Sequence, residues 1–217
     1  WQGIPNFNKS NCKKNLKMSK NLIDAALQNK SCKKIIITGT CKEYEGINGY
    51  CRENMRPKPQ SEFAKTKASI LEYLKLKAHN NHKIDWYWIR IFYIYGLHQR
   101  AMSLIPYCIK KIKNNKNFEL NNYDQANDYI NIKFLLKTIN SIANKKIKKG
   151  VYNLGSSEVK TNFEIKNICL KVFGKKEIKK NLNKKQLYIK ACMEKFYKNF
   201  GWKPKENIYR EIKNING

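Results

Sequence analysis

The stretch from Lys34 to Lys67 constrains the fold more than any other part of the chain. It opens on the apolar run Ile35-Ile36-Ile37 and stops at Thr38-Gly39-Thr40. A β-branched run closed by a glycine turn reads as a buried parallel strand, here Lys34–Thr38. In open α/β sheets the chemistry sits just outside the carboxyl ends of such strands, which puts the Thr40 hydroxyl at a useful place. The stretch closes on Phe63-Ala64-Lys65-Thr66-Lys67, at the start of an amphipathic pattern. Phe63 and Lys67 are four apart, so both project from one helix face, one turn from each other.

On either side of this stretch helical and strand patterns alternate. Residues 1–10 are polar and read as a loop. From Asn11 to Asn29 the spacing of Leu16, Leu22, Ile23, Ala26 and Leu27 predicts a helix. Glu45 to Ser61 carries Gly46, Gly49, Pro57 and Pro59 without periodicity, a loop long enough to be functional. Ser61 is a fitting N-cap for a helix that runs to about Asn80. Asp85 to Tyr93 is rich in aromatic and β-branched residues and predicts a strand, ending before Tyr95-Gly96. Further on, the patterns predict helices after Pro106, at Lys133–Asn144 and at Phe163–Phe173, and a short strand at Phe118–Leu120.

This layout resembles the extended short-chain dehydrogenase/reductase family, the nucleotide-sugar epimerases, dehydratases and reductases. Thr40-Cys41-Lys42-Glu43-Tyr44-Glu45 is similar to that family's strand end, and Phe63-x-x-x-Lys67 to its Tyr-x-x-x-Lys pair. Arg90, Tyr95 and Gly96, then Ser103-Leu104-Ile105-Pro106, then Asp128-Tyr129-Ile130-Asn131-Ile132 follow in the family's order. Tyr152-Asn153-Leu154-Gly155 and Phe200-Gly201-Trp202-Lys203-Pro204 complete the series. Any one piece is weak; together, in order and spacing, they carry the resemblance from about Asn11 to the C-terminus.

The resemblance implies an α/β fold: part of a Rossmann-like parallel sheet with a small C-terminal substrate-binding part. Residues 1–100 would be the C-terminal half of an NAD(P)-binding domain. Residues 101–217 would form the substrate-binding part, with some segments returning to the core sheet. It implies Thr40 and Lys67 as catalytic residues, with Lys67, Thr38 and Phe92 against NAD or NADP. Tyr93, Ser103 and Asn127 would meet the nucleotide-sugar substrate, and a homodimer is the implied assembly. The activity implied is that of an NAD(P)-dependent epimerase or reductase of deoxysugar or surface-polysaccharide pathways, a finer likeness that the Trp1–Asn6 opening shares. Lys67 also reads, by itself, as one more surface lysine beside Lys65, Lys75 and Lys77.

Several departures bear on activity. Phe63 stands where the family has its catalytic Tyr, so the proton carrier is missing. Tyr44, Tyr93 and Tyr95 are the candidates to replace it, and each also reads as a packing aromatic. Cys41 and Lys42 stand where dehydratases carry Asp-Glu. Tyr93 replaces an Asn and Asn127 replaces an Arg, whose planar fork binds phosphate as an amide does not. No Gly-x-x-Gly-x-x-Gly occurs, although that turn is what lets a backbone approach a dinucleotide pyrophosphate. The resemblance places Trp1, which is not a Met, after the family's first βα units, so roughly 60–80 residues are expected to be absent. The strand at Ile35–Thr38 would then expose an apolar edge, an aggregation hazard. A non-catalytic homologue that binds a sugar nucleotide or a partner subunit is the alternative reading.

Charge adds a third. The net charge of +29 suits a polyanion partner such as nucleic acid, but only Arg52, Arg56, Arg90, Arg100 and Arg210 are arginines among 45 basic residues. Scattered lysines read better as a solvated surface that draws in anionic ligands. Seven cysteines without a Cys-x-x-Cys pair suit free thiols in a reducing cytoplasm. His79, His82 and His98 lack the cysteine pair of a zinc site, and His79-x-x-His82 reads as a surface turn. No run of 18 apolar residues predicts a membrane span.

Overall fold

The computed structural model describes residues 7–79, 84–179 and 188–216. The Trp1–Asn6 opening and His82 lie outside the described residues. The first layer is helical. Asn8 caps α1 (Lys9–Gln28) by accepting the Asn11 N–H at 2.8 Å. Leu16, Ile23 and Leu27 of α1 pack on Ile70, Leu71 and Leu74 of α2 (Glu62–His79). Leu22, expected in the same stripe, instead points to solvent; the buried stripe runs through Cys12, Asn15 and Ile23.

This helical pair covers a parallel three-stranded sheet in the order β1 (Lys34–Thr40), β3 (Asp85–Ile91), β6 (Gly150–Leu154). Lys34 to Thr40 run in register with Asp85 to Ile91. β1 lies at the edge of this sheet, and Ile36 and Ile37 are only half-buried. The expected long strand to Tyr93 is interrupted. At Phe92 the amide bonds Leu154 O at 3.0 Å, and the chain then leaves the first sheet. β4 (Tyr93–Tyr95) pairs with β5 (Ala126–Asn131) in a second sheet, ordered β2 (Gly49–Cys51), β8 (Tyr188–Ala191), β5, β4. β7 (Val159–Thr161) lies antiparallel to β5. The loop 45–61 therefore contributes a short strand that its composition hides.

Phe118–Leu120 is not a strand. Its Phe118 packs edge-on against Tyr107, and its carbonyl accepts the Lys166 ammonium at 2.7 Å. The second sheet is backed by α3 (Leu104–Lys113), α5 (Asn162–Val172) and α7 (Ile208–Asn216), whose Ile109, Ile165 and Ile212 meet in one apolar cluster. α4 (Ile132–Asn144) and α6 (Glu194–Phe200) belong to a separate core cluster, where Leu135 and Ile142 of α4 and Phe196 and Phe200 of α6 gather with Tyr152. All seven cysteines are free thiols, and six of them are buried. No helix among the described residues is long and apolar enough to cross a membrane.

Gly39 is the tightest point of the first sheet. A Cβ there would stand 2.1 Å from Trp88 Nε1 and 2.7 Å from Glu43 Oε1. Trp88 is fully buried and donates to that same carboxylate, so it has nowhere to move. Gly39→Ala is expected to cost about 1–3 kcal/mol in urea unfolding, as overpacked cores do. A loss under about 0.5 kcal/mol, the range of neutral surface changes, would show that the indole gives way.

Candidate active site

β1 and β3 end side by side, with Thr40 opposite Ile91. Past Thr40 the chain turns into a single 3-10 turn, Cys41–Tyr44. Thr40 caps it. Its hydroxyl oxygen accepts the Lys42 N–H at 3.2 Å, and Glu43 reaches back to accept the Thr40 N–H at 3.1 Å. This is a capping box, and it leaves the Thr40 O–H free to donate.

Glu43 is fully buried and holds the rim together. Its Oε1 also accepts from Trp88 Nε1 at 3.0 Å, and its Oε2 accepts from Arg90 Nε at 2.7 Å. Arg90 Nη1 donates to the Tyr44 hydroxyl at 2.6 Å, which in turn donates to Asn153 Oδ1 at 3.0 Å. Asn153 Nδ2 donates to Cys51 O at 2.8 Å. The ends of β1, β3 and β6 and the loop strand β2 thus share one buried polar network. In the sequence Glu43, Arg90 and Asn153 stand out only as matched positions. The Thr40-x-x-Glu43 spacing was the available signal.

α2 brings the remaining groups. Ser61 Oγ accepts the Ala64 N–H at 3.3 Å, while Glu45 accepts the Ser61 N–H at 2.8 Å, which pins the helix start to the turn after Thr40. Lys67, 8% exposed, donates to Thr38 O at 2.7 Å. Burial pulls its pKa down to about 8, and only the nearby Glu43 charge works against that. The ammonium therefore loses its proton as pH rises past about 8. Lys67 is thus anchored to β1 two residues before Thr40, and Phe63 lies one helical turn from Lys67. Phe63 is half-buried, and the Phe7 ring lies over it, centroids 4.5 Å apart and tilted by 40°.

The other expected residues divide. The Thr38 side chain is exposed, while its carbonyl holds Lys67. The Phe92 ring is buried in the core cluster beside Tyr44 rather than at the open rim. Tyr93 is half-buried, 5.8 Å from Lys42 Nζ and 5.9 Å from the Tyr129 ring. Asn127 is buried in the second sheet and donates to the Tyr129 hydroxyl at 3.2 Å. The Tyr129 hydroxyl donates to Asn162 Oδ1 at 2.9 Å. A polar seam thus leads from Thr40 through Lys42, Tyr93 and Tyr129 to Asn127. Ser103 stands apart from it as the N-cap of α3, and its side chain makes no cap bond.

Of the three tyrosines offered as stand-in proton carriers, two are committed elsewhere. Tyr44 belongs to the Arg90 network. Tyr95 donates to Glu206 at 2.6 Å and is buried; burial and that carboxylate push its pKa far up. Tyr93 alone reaches the seam, and burial raises its pKa as well, ahead of the opposing pull of Lys42. Asp128 has a structural role that the sequence did not suggest. Fully buried, it accepts from Ser156 N at 2.6 Å, Ser157 N at 3.1 Å and Ala191 N at 3.0 Å. It ties the turn after β6 to β8. Among the described residues no group of three or more His, Cys, Asp or Glu side chains could hold a metal ion.

No family profile matches the chain. A stretch of 128 residues, 57% of the chain, is 27% identical to CDP-abequose synthase of Salmonella muenchen and spans 41% of that protein. Among solved structures, a UDP-glucuronic acid 4-epimerase variant from Bacillus cereus, in complex with a deoxyfluoro UDP-sugar and NAD, superposes with a TM-score of 0.80 at 24% identity. That match covers 92% of this chain and 65% of the epimerase. The dTDP-glucose 4,6-dehydratase of Bacillus anthracis, in complex with NAD, gives a TM-score of 0.75 at 20% identity, covering 94% of this chain and 65% of that one. The chain therefore spans about two thirds of the length of these solved enzymes. Its fold is the Rossmann-like α/β fold of the NAD-dependent nucleotide-sugar epimerases and dehydratases, the extended short-chain dehydrogenase/reductases.

Proposed function

We propose that this chain carries the sugar-nucleotide site and the nicotinamide end of an NAD(P)-dependent epimerase or reductase. The observation that carries this reading is the bond from the Lys67 ammonium to the Thr38 carbonyl, two residues before Thr40 at the carboxyl end of β1. Thr40 has a free O–H to donate to a sugar oxygen. Lys67 is a cation held at fixed distance from the strand end, placed to bond a ribose hydroxyl. The bound dinucleotide would supply hydride transfer. The residues present fit its nicotinamide end; the glycine-rich turn that would hold its pyrophosphate is not among these 217 residues. Residues 1–100 would serve the cofactor and 101–217 the sugar nucleotide. Free thiols suit a reducing cytoplasm, and pairing with a second copy is part of the same proposal.

A second reading is favoured by one specific observation. Phe63 has no proton to exchange, and its ring is packed against Phe7. A protein with this site would bind a sugar nucleotide and turn it over slowly or not at all.

Calorimetric titration of the chain with UDP-glucose and UDP-glucuronate tests what the two readings share. Saturable binding that weakens about tenfold in Thr40→Val, as expected when a hydrogen bond to a charged or strongly polar ligand is lost, supports them. Absence of binding to either ligand overturns both.

A further inference from the structure

Resting on the sugar-nucleotide reading, we infer that Lys42 reads the carboxylate of an acidic sugar, so that the preferred ligand is a nucleoside-diphosphate uronic acid. Lys42 lies two residues beyond Thr40, in the turn that Thr40 caps, and its backbone N–H bonds the Thr40 hydroxyl oxygen. Its ammonium stands 5.8 Å from the Tyr93 ring centroid, at the head of the polar seam. Its side chain is 39% exposed, so the charge is neither buried in the core nor out in bulk water.

The carboxylates around it have other duties. Glu43 is consumed by Thr40, Trp88 and Arg90. Glu45 Oε1 forms an ion pair with Lys42 at 3.6 Å, longer than a good hydrogen bond, and accepts from Ser61 Oγ at 3.1 Å, while its Oε2 accepts from Gln60 N at 3.0 Å and from Ser61 N at 2.8 Å. The Tyr93 side chain takes one hydrogen bond from Lys42, so beyond that neutral partner and the long Glu45 contact the ammonium still has a donor to give. An ammonium has three donors and no acceptor, so an anionic oxygen is the group that completes it.

The sugar's own geometry selects which anion. In a nucleotide sugar the diphosphate hangs on C1, across the ring from the oxygen at C4. A uronic acid carries its carboxylate on C5, next to C4. With the C4 oxygen on the Thr40 hydroxyl, a cation two residues away meets the C5 substituent rather than the diphosphate. A neutral hexose presents a hydroxymethyl group there and leaves Lys42 as it is. Hydrogen bonds to charged groups are the stronger ones, and partial exposure limits their worth to the order of tenfold in affinity.

The experiment is a calorimetric comparison of UDP-glucuronate and UDP-glucose on the whole chain, repeated in Lys42→Met and Lys42→Arg, with circular dichroism confirming that each folds. The natural chain is expected to bind UDP-glucuronate about tenfold more tightly, with the preference shrinking as salt rises. Lys42→Arg should keep the preference and Lys42→Met should abolish it while UDP-glucose binding stays within about twofold. Equal affinity for the two sugars, or a preference that survives in Lys42→Met, overturns the inference and leaves the sugar-nucleotide reading standing. Binding of neither ligand overturns that reading, and the inference falls with it.

Discussion

With a family-type N-terminal segment carrying the glycine-rich turn supplied, a Phe63→Tyr variant is expected to turn over its sugar nucleotide about 10²–10⁴ times faster than the matching Phe63 form when NAD is present, the range a positioned acid or base contributes. The new hydroxyl would project from the α2 face one turn before Lys67, whose ammonium favours a phenolate over a phenol. Lys67 has a pKa of about 8, lowered by burial. The gain should therefore fade as pH rises past about 8, where that ammonium becomes neutral and the phenol returns toward its ordinary range. Initial rates of sugar interconversion between pH 6 and 10, followed by NMR, would show both effects. If the Tyr and Phe forms are equally inert while UDP-sugars still bind, the catalytic reading fails and the binding-only reading stands. The Phe7 ring over position 63 sets the steric condition for the change, since the added oxygen has to find room beside it.

The second large effect is on stability. Arg90 is 2% exposed and its Nε lies 2.7 Å from Glu43, itself fully buried. Arg90→Ala is expected to lower the unfolding free energy by about 3–5 kcal/mol, because it strands a buried carboxylate. That is a large part of the roughly 5–15 kcal/mol that holds a domain of this kind folded. The double variant Glu43→Gln with Arg90→Met should lose less than Arg90→Ala alone, since neither charge is then left unmatched. Urea titrations followed by tryptophan fluorescence measure all three. A loss under about 1 kcal/mol in Arg90→Ala, the worth of an exposed pair, would show that water reaches Glu43.

The parts of the fold that were legible in the sequence are those written in local periodicity. Ile35-Ile36-Ile37 before a glycine gave a parallel strand, and the spacing of Ile70, Leu71 and Leu74 gave α2. The break at Phe92 was not legible, because Trp86 to Tyr95 has one uniform strand-like composition. Only the pairing partner changes there, from β6 to β5, and pairing is a tertiary property. The same holds for Phe118–Leu120, whose strand-like residues are spent on Tyr107 and Lys166 instead of a ladder. At the site, spacing put Thr40 at a strand end and Lys67 one turn from Phe63, but only the family resemblance set Lys67 apart from its neighbouring lysines. Glu43 and Asp128 could not be weighed, because a buried carboxylate takes its role from donors far away in sequence, such as Arg90 and Ala191.

The crossing at Phe92 has a mechanical consequence. One uninterrupted stretch of backbone serves the Thr40 sheet up to Ile91 and the Asn127 sheet from Tyr93, with a buried phenyl ring at the join. Sliding either layer against the other would have to drag that ring out of the core. A ligand lying across the seam would meet two layers whose relative placement is already set, and would spend little of its affinity on fixing them.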